Sequence, residues 1–145
     1  MAERSKKFRL RIVTPAKTSI DKDVDMVIMQ TIDGQIGVLS GHEPLTTVLD
    51  VGTLRYYDDE KIERVALLGG FAEISQKEVV ILADIAEHPD EIDAERAKRA
   101  EERARKRIKD QAEGLDYLRA ELALRKSLVR QQLVSGPLTS EKTKA

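Results

Sequence analysis

The chain has 145 residues, 35% of them charged and 3% aromatic, with a formal net charge of −1 and no cysteine. Near-neutrality argues against a general nucleic-acid binder held by phosphate attraction, and the lack of cysteine excludes disulfides and thiolate metal sites. The opening Met-Ala-Glu-Arg-Ser-Lys-Lys lacks the apolar run of a signal peptide, and no stretch approaches the ~20 apolar residues that span a bilayer, so a soluble cytoplasmic protein is expected.

Phe8, Leu10 and Ile12 alternate with Arg9, Arg11 and Val13 in the period of a strand with one buried face, which Pro15 ends. Val24 to Ile32 reads as a second strand closing at Asp33-Gly34, a hairpin turn signal. A short strand from Ile36 to Leu39 follows, then the loop chemistry of Ser40-Gly-His-Glu-Pro44 and an extended run from Leu45 to Leu49. Thr53 to Tyr57 and Ile62 to Leu68 flank the polar turn Asp58-Asp-Glu-Lys61. After a corner at Gly69-Gly70, Phe71 to Ser75 and Val79 to Ala83 flank Gln76-Lys-Glu78. Many short strands with frequent turn signals predict an antiparallel β-sandwich over residues 1–86.

The sandwich offers no catalytic or metal-ligating set. His42 and His88 are the only histidines and neither falls in a His-Glu-x-x-His spacing, so His42 reads as a loop residue that makes turn hydrogen bonds or meets a partner. The glycines at 34, 37, 41, 69 and 70 lack the Gly-x4-Gly-Lys-Ser/Thr pattern of a phosphate loop.

Pro89 stops the last strand, and Asp90 is expected to cap the helix beyond it, with Asp93 and Arg96 as neighbours on one helix face. From Asp90 to Gln111 there is no Gly or Pro beyond Pro89, and Ala97, Ala100, Ala104, Ile108 and Ala112 form a narrow +3/+4 stripe. Gly114 suits a helix end and Asp116 the cap of a second helix. Leu115, Leu118, Leu122, Val129 and Leu133 share one face of that helix, with Leu124 and Leu128 beside it. Residues 87–134 are therefore expected to form an antiparallel two-helix hairpin, and residues 135–145 a disordered tail.

The helical charges divide into two kinds. Glu95 with Arg99, Glu101 with Arg105 and Glu102 with Lys106 have the favourable i,i+4 order of a solvated helix. Arg103, by contrast, lies between Arg99 and Arg107, and Lys126 and Arg130 have no acid three or four residues away. After Glu121 the second helix carries Arg125, Lys126 and Arg130 with no acid, which complements the helix dipole only in part. The surplus suits an external anion, either a triphosphate or an acidic protein surface.

Read in order, Gly34-Gln-Ile-Gly37, Ser40-Gly-His-Glu-Pro-Leu45, Gly69-Gly-Phe-Ala-Glu-Ile74, Val80-Ile-Leu-Ala83, Ile92-Asp-Ala-Glu-Arg-Ala97 and Arg119-Ala-Glu-Leu-Ala123 resemble the epsilon subunit of the bacterial rotary F-type ATP synthase, from about Arg9 to Leu133. The resemblance implies a non-catalytic rotor component at the cytoplasmic face of the cell membrane, in a complex that moves protons or sodium ions. It implies a sandwich that binds the gamma subunit and the c-ring, with Gln35 and His42 on the c-ring side. The hairpin is implied to fold on ATP or to extend toward the beta and alpha subunits through Arg119, Arg125, Lys126 and Arg130, opposing hydrolysis. The ATP pattern Ile/Leu-Asp-x-x-Arg-Ala is matched by Ile92, Asp93, Arg96 and Ala97, and further positions map onto Glu87, Arg103, Lys126 and Arg130. Lys126 stands where arginine is often found, replacing a bidentate fork with a point charge. ATP is implied as a regulatory ligand that is not hydrolysed, with Mg²⁺ as a possible companion.

Two other classes fit less well. A nucleotide hydrolase needs metal-binding acids beside a phosphate loop. A nucleic-acid-binding sandwich needs aromatics among basic residues, whereas Phe8, Tyr56, Tyr57, Phe71 and Tyr117 are scattered.

Overall fold

The computed structural model describes residues 6–110 and 114–135. It divides into two compact units, Met1–Glu87 and His88–Ala145.

The first unit contains β1 (Phe8–Val13), β2 (Thr18–Val24), β3 (Met26–Thr31), β4 (Gly34–Val38), β5 (Leu45–Asp58), β6 (Lys61–Ile74), β7 (Glu78–Ala83) and β8 (Ala86–Glu87). The strands hydrogen-bond in the order β2-β1-β7-β6-β5-β3-β4, with β8 also on β6. The alternation expected for β1 is present: Phe8, Leu10 and Ile12 are buried, and Arg9 and Arg11 are exposed. Together with Val24, Val27, Met29, Leu54, Val65, Ile74, Val79 and Ile81 they build one apolar core. A core of branched aliphatic side chains replaces the missing aromatic bulk, and burying such surface is the dominant favourable term in folding.

The sandwich differs from the expected pattern in three ways. One pairing, β1 with β7, is parallel, with Arg9 opposite Glu78 and Val13 opposite Leu82. Residues 45–58 and 61–74 form two long strands, not four short ones, paired from Leu45↔Ile74 to Asp58↔Lys61. The glycines within them bend a strand and do not end it. Gly69 and Gly70 have φ of 96° and 129°, and a Cβ on Gly70 would collide with the Leu82 carbonyl oxygen and the Ala83 Cα. Finally, residues 18–24 form a strand that its polar composition conceals. It pairs at the sheet edge with β1, and Arg9 reaches across to Asp21 at 2.7 Å and Asp23 at 3.3 Å. Charges on an edge strand also discourage pairing with other chains.

In the second unit Pro89–Glu91 forms a 3-10 turn, followed by α1 (Ala94–Lys109) and α2 (Gly114–Val134). The cap of α1 is Asp93, not Asp90: its Oδ1 accepts the Arg96 backbone N–H at 3.1 Å. Asp90 belongs to the 3-10 turn, because Pro89 at the first position pre-sets a tight turn that closes before the α-helix begins. Gly114 lies at φ 58° and opens α2, and Asp116 falls inside the first turn of α2. The expected tail beyond residue 135 and the stripe member Ala112 lie outside the described residues.

Between the helices the small residues meet. Ala97 and Ala104 of α1 and Ala120 and Ser127 of α2 are buried, whereas Leu118 is 60% exposed and Leu122 and Leu128 are each 40% exposed. The leucine face expected to hold the hairpin together therefore points elsewhere for most of its length, with Leu133 the buried exception. Ser127 is accommodated because its hydroxyl donates to the Leu124 carbonyl at 2.7 Å and so is not left unpaired in the interface.

Candidate functional site

The expected nucleotide residues occupy the turn into α1 and one side of each helix. Ile92 closes the 3-10 turn through its N–H to the Pro89 carbonyl at 3.3 Å, and Asp93 caps α1. Arg96 and Arg103 are exposed, Ala97 is buried, and Lys126 and Arg130 are half-buried. Glu87 lies at the end of β8 in the other unit and has a partner of its own. Asp93 and Arg96, expected as neighbours on one helix face, interact through the Arg96 backbone N–H, so the guanidinium is not spent on the cap.

Helix geometry explains how separated cations come together. At about 100° per residue, positions seven or four apart fall on one side of a helix. Arg96, Arg103 and Arg107 therefore share one side of α1, and Arg119, Lys126 and Arg130 share one side of α2. The helices run antiparallel, with Ala97 and Ala104 facing α2 and Ala120 and Ser127 facing α1, so both sides fall on the same flank of the hairpin. Glu95, Glu101, Glu102 and Glu121 project from other sides. The small-residue interface narrows the gap between the two rows of cations, an arrangement that can hold a multiply charged anion.

One expectation needs correction. Arg130 has no acid three or four residues away in its own helix, yet it engages another group, as does Arg125, which has Glu121 four residues before it. The lack of an acid at those spacings therefore does not make Arg130 a cation without a partner. Arg103 and Lys126 form no ion pair among the described residues.

On the sandwich, Gln35 is exposed on β4. His42 is held within its turn, where its Nδ1–H donates to the Glu43 carbonyl at 2.6 Å and its N–H to the Leu39 carbonyl at 3.3 Å. One group of carboxylates among the described residues could in principle hold a metal, namely Asp25, Asp58 and Asp59. The Lys7 ammonium already sits among them, 2.7 Å from Asp58, 3.2 Å from Asp59 and 3.6 Å from Asp25. Lys22 binds the other Asp58 oxygen at 2.8 Å. Hydrogen bonds from Lys22 and then Lys7 hold the Asp58 carboxyl down at about 2, and Asp58 in turn raises Lys7 above the ordinary lysine range. Sequence reading missed this cluster because its members come from three segments far apart in the chain, around Lys7, Lys22–Asp25 and Asp58–Asp59.

A β-sandwich followed by an αα-hairpin that carries one cationic flank defines a two-part class of chain. Residues 7–89 match the ATP synthase delta/epsilon chain β-sandwich domain, and residues 90–134 the long α-helix domain of the same chains. The chain belongs to the ATP synthase epsilon-chain family.

Among its relatives, the ATP synthase epsilon chain of Desulforamulus reducens is 44% identical over 126 residues, 87% of this chain and 96% of the relative. That of Symbiobacterium thermophilum is 40% identical over 134 residues, 92% and 96% of the two chains. A chain of the Euglena gracilis mitochondrial ATP synthase shares the fold with a TM-score of 0.79 at 24% identity, covering 93% of this chain and 85% of that one. A chain of the Tetrahymena thermophila mitochondrial ATP synthase central stalk and c-ring does so at 0.59 and 14% identity, covering 92% and 97%. No helix among the described residues is long and apolar enough to cross a membrane.

Proposed function

We propose that the chain is a non-catalytic subunit of the central stalk, peripheral at the cytoplasmic face of the membrane, whose sandwich docks the gamma subunit and the c-ring. Its hairpin is a two-state regulator. Folded, it binds ATP without hydrolysing it, on Asp93, Arg96, Arg103, Lys126 and Arg130. Extended, it presents Arg119, Arg125, Lys126 and Arg130 to acidic surfaces of the beta and alpha subunits and opposes rotation in the hydrolysis direction.

The observation that carries this reading is the cationic flank beside the Ile92–Ala97 motif. The energetics suit a switch, because the interface is built largely of alanine and so buries little apolar area. A ligand bound only to the folded state at one hundred times its Kd adds about 2.7 kcal/mol, enough to decide a small balance.

Calorimetric titration of ATP into the full chain and into an Arg103→Ala, Arg130→Ala variant tests the ligand. Measurable heat in the first and a loss of at least tenfold in affinity in the second are expected, since each lost charge-assisted bond is worth about 1.5–3 kcal/mol. Equal or negligible heats in both reject ATP as the ligand. Repeating the titration with Mg²⁺ and with a chelator establishes whether the metal accompanies the nucleotide.

A further inference from the structure

The interface between α1 and α2 has an unusual weakness. Ala97, Ala100 and Ala104 repeat at three- and four-residue spacing on one side, and Ala120, Ala123 and Ser127 repeat on the other. A slide of one helix along the other by one turn, about 5.4 Å, would place small residues on small residues again. Along this small-residue stretch apolar contact distinguishes poorly between the two registers; the buried Leu133 lies beyond it, and within the stretch a directional contact is needed to choose.

Glu101 and Gln131 supply it. The Gln131 Nε2 donates to Glu101 Oε1 at 2.8 Å across the hairpin, and the Arg105 Nε donates to Glu101 Oε2 at 2.6 Å. Both carboxylate oxygens are thus engaged, one within α1 and one from α2. The Glu101 side chain is only 20% exposed, so losing its partner would leave a charge without adequate solvation. Its carboxyl lies below the usual carboxylate range, first because of Gln131 and then Arg105. Glu101 lies two residues before Arg103, about 200° around α1, and so projects toward the opposite edge of the interface, away from the cationic flank.

We propose that Glu101, through Gln131, is the positioning residue that fixes the register of the folded hairpin and thereby sets Arg103 opposite Lys126 and Arg130. A single polar group in an otherwise permissive helix interface is a known means of specifying register. Slipping by one turn displaces the cations of α2 from those of α1 by more than any hydrogen bond tolerates. The functional consequence of that register rests on the nucleotide reading above, whereas the register itself does not.

The chain has no cysteine, so pairs can be introduced into the full-length protein cleanly. Ile108→Cys with Leu124→Cys, two turns along from Glu101 and Gln131 on the same faces of the two helices, reports the observed register, and Ile108→Cys with Leu128→Cys reports the register one turn away; the first two positions are half-buried and Leu128 is exposed. Under a mild oxidant the first pair is expected to cross-link faster by about tenfold, the discrimination one charge-assisted hydrogen bond provides. Glu101→Ala should abolish the preference, and the exchange Glu101→Gln with Gln131→Glu, which rebuilds the bond with donor and acceptor reversed, should restore it. Simple loosening of the hairpin would alter both rates together and leave their ratio. An unchanged ratio in Glu101→Ala, or an exchange that fails to restore it, overturns the proposal.

ATP titration of the same variants, without the cysteines, separates the two readings. If Glu101→Ala loses the register but the unaltered chain takes up no ATP, the nucleotide reading fails and the clasp stands. If the unaltered chain binds ATP and Glu101→Ala binds it equally well, the clasp does not position the cations.

Discussion

Asp93 has one observed role and one proposed role, which substitution can separate. Its carboxylate caps α1 by accepting the Arg96 N–H, and it is the second residue of the motif proposed to bind ATP. Asp93→Ala removes both and should cost about 1 kcal/mol of hairpin stability. Asp93→Ser keeps a capping oxygen but not the charge, so its helix content by circular dichroism should match the parent while its ATP affinity falls. Undiminished ATP binding in the serine variant would leave Asp93 as a cap alone. Gly70 is the corresponding case in the sandwich. Its φ of 129° and the backbone of Leu82 and Ala83 leave no room for a methyl group, so Gly70→Ala should destabilise the sandwich by at least about 1–3 kcal/mol in chemical denaturation.

Elements differ in how plainly they can be read from sequence. β1 was legible because one face is wholly buried and the other charged, which writes a period of two directly into Phe8 to Val13. β2 was not, because an edge strand held by Arg9 to Asp21 and Asp23 needs only Ile20 and Val24 in the core, and its remaining side chains resemble a loop. Gly52 and Gly69-Gly70 suggested breaks because glycine is shared by turns and bends, and only pairing along the full length of β5 and β6 distinguishes them. In the hairpin the leucines drew attention by size, yet close approach of the helices selects alanine and serine. The pattern from Ile92 to Ala97 can be picked out of the sequence, whereas the proposed alignment of Arg103 with Lys126 and Arg130 depends on packing between helices, and no spacing within one helix reveals it.

The Lys7 cluster ties together the approach to β1, the β2–β3 corner and the β5–β6 turn. Its pH dependence follows from Asp58. The carboxyl lies at about 2 in the fold against an ordinary 3.8, so its contribution is complete above the ordinary value and is lost as the pH falls from about 4 toward 2. Urea midpoints should decline over that window, and Asp58→Asn should flatten the decline. A slope unchanged in that variant would assign it to other carboxylates.

For the whole molecule, the sandwich core draws its members from Phe8 to Ala86 alone. Removing residues 90–145 should therefore leave a cooperatively unfolding sandwich, and the assembled enzyme should hydrolyse ATP faster with the truncated subunit than with the full chain. Unchanged hydrolysis would argue against an inhibitory hairpin.

The parallel pairing of β1 with β7 also constrains how the chain is made. β1 acquires its second neighbour only when residues 78–83 have been synthesised, about 70 residues later. At roughly 5–20 residues per second a nascent chain carries Phe8, Leu10 and Ile12 without that neighbour for about 4–14 s. The helices, whose contacts are closer in sequence, come last and can form quickly. Strand β1 is therefore the stretch most exposed to premature association on the ribosome: the charged β2, ready within a dozen residues, covers one of its edges, and the edge that will face β7 stays open during that interval.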